Sequence, residues 1–218
     1  AGNGGALDFD GSDDHVTRAD DADFDFAAAD DFTITGWFKH DTISAIDYIF
    51  VKAQAGTNAG YKVYMDADGD IAFAIDDDAT WTPDDVVGDD QSKNYDDNAW
   101  HYFTAIKDGT TAIYIYVDGI LVDSDMSIAA TGTLANDDAL YIGIDDNGSS
   151  NAWAGQLDEI RVYNRALTAS EIRYLYNRGG PVGHWKMDEG SGLFAHDSTE
   201  IIPIPTDGLL AYSSMEDD

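Results

Sequence analysis

The sequence predicts an all-β protein, an antiparallel sandwich carrying one short helix near its end. Runs rich in aromatic and β-branched residues, FTITGWFKH at 32–40, GYKVYMD at 60–66 and DIAFAID at 70–76, recur between clusters of Asp, Gly and Asn. That is the rhythm of short strands separated by tight turns. Asp108-Gly109 and Asp118-Gly119 interrupt a β-rich stretch, where a two-residue hairpin turn needs residues tolerant of positive φ.

In chain order, a first strand-like run at Leu7-Asp8-Phe9 leads into an acidic loop ending at Val16. In the run at 32–40, Phe32, Ile34 and Gly36 alternate with Thr33, Thr35 and Trp37. Both sets contain bulky residues, so this strand is expected to be covered on both faces. Asp66-Ala67-Asp68-Gly69-Asp70 partly matches a calcium-loop spacing but lacks the downstream Glu; between two strand-like runs it reads as a plain hairpin turn. Residues 99–124 read as a Trp-led strand followed by two hairpins. Thr168-Ala169-Ser170-Glu171 forms a capping box, Ile172, Leu175 and Tyr176 share a face, and Gly179 offers a stop, predicting a helix of about three turns. Trp37, Trp100 and Trp153 occupy apolar strand positions and are expected to be buried.

Three of these stretches coincide in order, spacing and type. LDFDGSDDHV (7–16), AWHYFTAIKDGTTAIYIYVDGILVDS (99–124) and GQLDEIRVYNRALTASEI (155–172) resemble the opening, central and closing motifs of the laminin-G-like, concanavalin A-like jelly roll. The resemblance spans residues 1–178. It implies an antiparallel jelly-roll β-sandwich with one short C-terminal helix, and a non-catalytic binding or adhesion module.

After Arg178 the pattern changes. GGPVGHWKMDEGSG (179–192) resembles the strand with which such domains begin, and LLAYSSMEDD (209–218) repeats it. Two copies of the opening strand, 181–189 and 210–217, thus follow a domain whose own N-terminus starts at the second stage of the fold. Between them IIPIPTDG (201–208) reads as an extended connector. An unpaired edge recruits a matching strand, so Val182, His184, Trp185 and Met187, or Leu210, Tyr212 and Met215, are candidates for strand exchange between copies of the chain. The tail thus reads as a donor strand or as the start of following domains, and a structural subunit of a surface filament or multidomain surface protein, assembled by strand exchange, is the alternative to a binding module.

Composition bounds the partners. The 218 residues carry 38 Asp and 5 Glu against 11 Lys plus Arg, a formal net charge of −32. Such a surface repels phosphate backbones and anionic lipid, which argues against nucleic acid and against direct membrane insertion. The acidic residues alternate with aromatic and β-branched ones, so they sit on a fold and not in a disordered tract. Repulsion of this size is relieved in molar salt, where the Debye length is about 3 Å, and a salt-rich habitat is the expectation. Cysteine is absent, excluding disulfide and thiolate chemistry. No apolar run approaches the roughly 20 residues that span a bilayer, and AGNGGALDFD does not read as a signal peptide. An extracellular or cell-surface location is expected, with a polysaccharide or cell-surface glycoprotein as partner. The sequon Asn147-Gly148-Ser149 permits glycosylation.

Asp10, Asp13 and Asp14 on the first loop, with Asp158 near the last strand, are the expected ligands of a structural Ca²⁺, which takes six to eight hard oxygens. In similar jelly rolls the first and last strands run together, which would let an aspartate from each clamp one ion. Carbohydrate recognition needs an exposed aromatic platform beside polar groups; Trp81 in DDDATWTPDD and Tyr95 in KNYDDNAW are the candidates. Catalysis finds no support, because Glu159, Glu171, Glu189, Glu200 and Glu216 do not fall on one strand face as a paired-carboxylate glycosidase requires. His15, His40, His101, His184 and His196 show no metal-ligand spacing.

Overall fold

A computed structural model describes residues 5–53, 59–78, 81–88, 93–145 and 151–177. Ala1–Tyr176 forms one compact unit and Asn177–Asp218 a second. Apart from Asn177 the second unit lies outside the described residues, and with it both expected opening strands; Asn147 lies outside them too.

The first unit is an antiparallel jelly-roll sandwich of two six-stranded sheets. Sheet one runs, in spatial order, β1 (Leu7–Asp10), β12 (Ala154–Tyr163), β3 (Phe32–His40), β8 (His101–Asp108), β9 (Ala112–Val117) and β10 (Ile120–Asp125). Sheet two runs β2 (Val16–Arg18), β11 (Leu140–Ile142), β4 (Asp47–Lys52), β5 (Gly60–Met65), β6 (Ile71–Asp76) and β7 (Asp85–Val87). The strand period of two decides what each sheet buries. Phe32, Ile34 and Phe38 of β3, Phe103 and Ala105 of β8, and Ile113, Ile115 and Val117 of β9 meet Phe50, Tyr61, Val63, Met65, Ile71, Phe73 and Ile75 in one core. Each such side chain contributes roughly 1.5–3 kcal/mol on burial. Phe32 lies at the centre, with ring centroids 4.3 Å from Phe26 and 4.7 Å from Tyr61.

β3 is indeed covered on both faces. Outside, Thr33 Oγ1 donates to Arg165 O at 2.8 Å and accepts from Leu167 N at 3.1 Å, tying the strand to the segment that leads into the helix. That helix, α1 (Ala169–Tyr176), is 8 residues long, little over two turns and shorter than expected. Too short to stand on propensity alone, it is held by its cap and by Ile172, which packs with Leu167 and Ile106. The capping box forms: Thr168 N donates to Glu171 Oε2 at 2.9 Å and Glu171 N to Thr168 Oγ1 at 3.4 Å.

The hairpins differ from each other. Val117 pairs with Ile120 across Asp118 (φ 54) and Gly119 (φ 75), the two-residue type I′ turn expected. Asp108 pairs with Ala112, so the first connection has three residues, with Gly109 in the left-handed region at φ 53. The 66–70 segment is the plain turn expected, Asp66 Oδ1 accepting from the N–H groups of Asp68 (2.9 Å) and Asp70 (3.0 Å). Trp153 is fully buried, but Trp37 and Trp100 are only partly so. Trp37 sits on the outward face of β3, where Tyr176 stacks on it at 5.7 Å.

Candidate functional site

The outer face of sheet two carries the arrangement with the clearest chemical potential. On β5 the inward positions Tyr61, Val63 and Met65 belong to the core, so Lys62 and Tyr64 project the other way. Tyr64 stands opposite Tyr48 of β4 and Ala72 of β6, and Lys62 opposite Val51 and Ala74. The small alanines of β6 leave room beside Lys62 for the side chain of Trp81 from the loop between β6 and β7. The Lys62 ammonium lies 4.6 Å from the Trp81 ring centroid and 5.0 Å from that of Tyr48, and 3.1 Å from Asp145 Oδ1. Only 2% of the Lys62 side chain is exposed, whereas the Trp81 residue stays partly accessible. A cation placed over an indole face contributes about 0.5–2 kcal/mol, so Lys62 fixes the ring from beneath.

Carboxylates brace the same loop. Asp76 accepts from Asp78 N at 3.0 Å and Thr82 N at 2.8 Å, one oxygen to each. Asp84 accepts from Asp77 N at 3.1 Å, and Asp77 from Gly132 N at 2.5 Å. Burial pushes the Asp76 carboxyl up, with Asp84 and Asp78 adding to the rise against the backbone donors that oppose it. Asp84 is raised in the same way, by burial first and then by Asp77 and Asp78.

The two expected sugar-contact residues are not brought into one platform. Tyr95 is packed against the main core, edge-on to Phe38 at 6.4 Å and to His101 at 5.2 Å. Burial, helped by Asp118 and Asp70, pushes its phenol up to about 12. A Tyr flanked by loop aspartates looks exposed in sequence, but its ring closes the margin of the core. Lys62, Tyr48 and Asp145 were not singled out by their sequence context. The available signal was a lysine at an outward strand position in a chain with so few basic residues.

The expected calcium ligands divide likewise. Asp10, Asp13 and Asp14 bring carboxylate oxygens within 4.8 Å of one another, all three residues being exposed. The loop is drawn together by Asp14 Oδ2 accepting from Asp10 N at 3.1 Å and Asp10 Oδ1 from Ser12 N at 2.8 Å. Asp158 is not part of the group. Antiparallel pairing sets Asp10 against Ala154 and Leu7 against Leu157, so Asp158 lies four residues further along β12, roughly 13 Å at strand spacing. Three clustered carboxylates suit a hard cation in donor type but supply only part of a calcium shell.

Fold and site together define a lectin-like jelly roll. The chain belongs to the concanavalin A-like lectin/glucanases superfamily, whose family model matches residues 10–173. Among curated proteins it is 24% identical over 162 residues to Paraclostridial mosquitocidal protein 1 of Paraclostridium bifermentans, covering 70% of this chain and 13% of that one. It is 30% identical over 103 residues to the botulinum-like toxin eBoNT/J of an Enterococcus strain, covering 47% and 7%. The chain therefore matches only a small part of either relative's length. In fold it resembles the ligand-binding domain of botulinum neurotoxin serotype D, solved in complex with N-acetylneuraminic acid (TM-score 0.58, 17% identity, 77% of this chain and 40% of that one). It also resembles the heptameric SAP-like pentraxin of Limulus polyphemus (TM-score 0.58, 16% identity, 78% and 80%). No helix among the described residues is long and apolar enough to cross a membrane.

Proposed function

We propose that this domain is a non-catalytic glycan-binding module, working outside the cell or on its surface, with Trp81 as the sugar-stacking residue. The observation that carries the reading is the partly exposed indole fixed over the buried Lys62 ammonium at 4.6 Å, with hydrogen-bond acceptors on the same loop. An apolar ring face beside oriented acceptors is what a sugar, with its C–H face and its rim of hydroxyls, requires. The family and the glycan complex of a structural neighbour support it. A glycan array screened with the intact chain tests the reading: binding by the wild type should fall at least tenfold in Trp81→Ala and be partly kept in Trp81→Phe. Undiminished binding by a folded Trp81→Ala protein would remove the assignment. In the same reading the Asp10, Asp13 and Asp14 loop holds calcium as a structural ion, without Asp158.

Assembly of copies by strand exchange is the second reading, favoured by the state of the β1 edge. Leu7 is 57% exposed and Val16 40%, and with Phe9, Ile142, Leu157 and Ile160 they line a largely apolar cleft of about 180 Å³ at the edge of the sandwich. An open apolar edge of this kind recruits a strand. Truncation after Arg178 should then lower the oligomeric state seen by light scattering; an unchanged monomer in both forms would refute it.

A further inference from the structure

We infer that the Trp81 face selects uncharged, hydroxyl-rich glycans and rejects sugars bearing a carboxylate, such as sialic or uronic acids. This inference rests on the glycan-binding reading and deepens it.

The strongest protein partner for a sugar carboxylate is a cation able to reach the ligand. The cation identified on this face is Lys62, and it is committed elsewhere. Its side chain is 2% exposed and paired with Asp145 at 3.1 Å, and its ammonium lies against the rings of Tyr48 and Trp81. A ligand stacking on Trp81 meets the indole, not the charge behind it.

The loop that presents Trp81 is acidic instead. Asp77 and Asp84 lie on that loop, Asp76 ends the strand leading into it and is fully buried, and none of the three has a cationic partner among the described residues. They accept from backbone N–H groups of the loop and of Gly132, and Asp77 and Asp84 also hydrogen-bond each other through their side chains. The raised proton affinity of the exposed Asp84, caused by burial first and then by Asp77 and Asp78, points the same way, since part of it comes from negative charge already on this loop. A further anion adds to that repulsion, which salt screens least at contact distances. A hydroxyl of a neutral sugar, by contrast, donates to a carboxylate oxygen, a charge-assisted hydrogen bond. The accessible carboxylates of Asp77 and Asp84 therefore attract one class of sugar and repel the other.

The deciding measurement pairs neutral oligosaccharides with their charged counterparts, lactose with 3′-sialyllactose and a neutral galactan with oligogalacturonate, on the full chain in dilute buffer and in molar KCl. Neutral members should bind more tightly by about tenfold or more, and the preference should persist in molar KCl, because it arises at contact range and not from the overall charge. Asp77→Asn and Asp84→Asn should narrow the gap by raising affinity for the charged member. Asp8→Asn, on the outer face of sheet one, should leave it unchanged. Equal or tighter binding of the charged members, still lost in Trp81→Ala, would overturn the selectivity and leave the glycan site standing. Failure of every glycan to bind would overturn both.

Discussion

Lys52 shows how the few cations of this chain are spent. Its side chain is 1% exposed, and its ammonium lies 2.9 Å from Asp20 Oδ1, 2.8 Å from Asn136 O, 2.9 Å from Asn136 Oδ1, 2.9 Å from Asp138 O and 3.4 Å from Asp25 Oδ1. An ammonium has three protons to donate, so five oxygens surround it more as ligands surround an ion than as separate hydrogen bonds. Lys52→Met keeps the stem packing but leaves two backbone carbonyls, the Asn136 amide oxygen and two carboxylates facing an apolar group. With both carboxylates partly solvated, the loss should sit at the low end for a broken buried pair, on the order of 3 kcal/mol, read as a lower denaturant midpoint. His101 supplies the pH dependence at the same scale. It bridges Asp118 Oδ2 (2.8 Å) and Asp97 Oδ1 (3.2 Å), and its pKa is raised, chiefly by Asp118, then by Asp97, against opposing burial. A histidine with a raised folded pKa contributes its full stabilisation below its unfolded value and loses it as pH rises through the folded one. Asp76 and Asp84, also raised, act in the same sense at lower pH, favouring the fold as pH falls toward the carboxylate range. The melting temperature should therefore climb as pH is lowered from 8 toward 6. Asp118→Asn, which keeps the oxygen that accepts from Tyr102 N at 2.9 Å and suits the left-handed turn, should flatten that climb; an unchanged slope would exclude His101 as its source.

At the scale of elements, β12 separates what the sequence states from what it omits. Side-chain alternation assigns faces, and β3 appears at 32–40 as read, because aromatic and β-branched residues at period two admit little else. Register is another matter. Nothing in LDFD or GQLDEIRVY says how far one strand slides along the other, and β12 also carries an irregularity between Asp158 and Arg161 with Glu159 at φ 55. The presence of a β1–β12 pair was therefore legible, while the partner of Asp10 was not. The Trp81 site was half legible for the same kind of reason: an aromatic in an acidic loop is visible, but the strand lysine beneath it becomes a partner only once β5 and β6 are paired. The observed register leads to its own prediction. Millimolar calcium should raise the melting temperature, and chelator lower it, in wild type and in Asp158→Ala alike, whereas Asp13→Ala should abolish the response. Loss of the response in Asp158→Ala alone would restore the strand clamp that the register argues against.

For the molecule as a whole, the governing fact is a formal net charge of −32 with 11 basic residues to offset it. Three of those, Lys52, Lys62 and Lys107, are buried and serve internal sites, Lys107 donating to the carbonyls of Ala28 at 2.7 Å and Gly109 at 2.5 Å. Asp66, Asp70, Asp76 and Asp85 are buried as well, so burial leaves the imbalance of the exposed surface about as large as the composition suggests. Many of its aspartates are used locally, accepting from backbone N–H groups at turns such as those begun by Asp21, Asp97 and Asp125. Those bonds hold the loops but neutralise nothing. Self-repulsion of this kind destabilises the compact state and weakens as the Debye length falls from about 30 Å at 0.01 M to about 3 Å at 1 M salt. Stability should accordingly rise steeply from dilute buffer to molar KCl. It should rise similarly in NaCl, since screening depends on ionic strength and not on the identity of the cation. Urea midpoints across that range in both salts, with chelator present to silence the Asp10–Asp14 loop, provide the check. A flat midpoint would mean that the acidic surface is already compensated within the fold and would remove the case for a salt-rich habitat. A rise in one salt only would replace screening with a specific cation site.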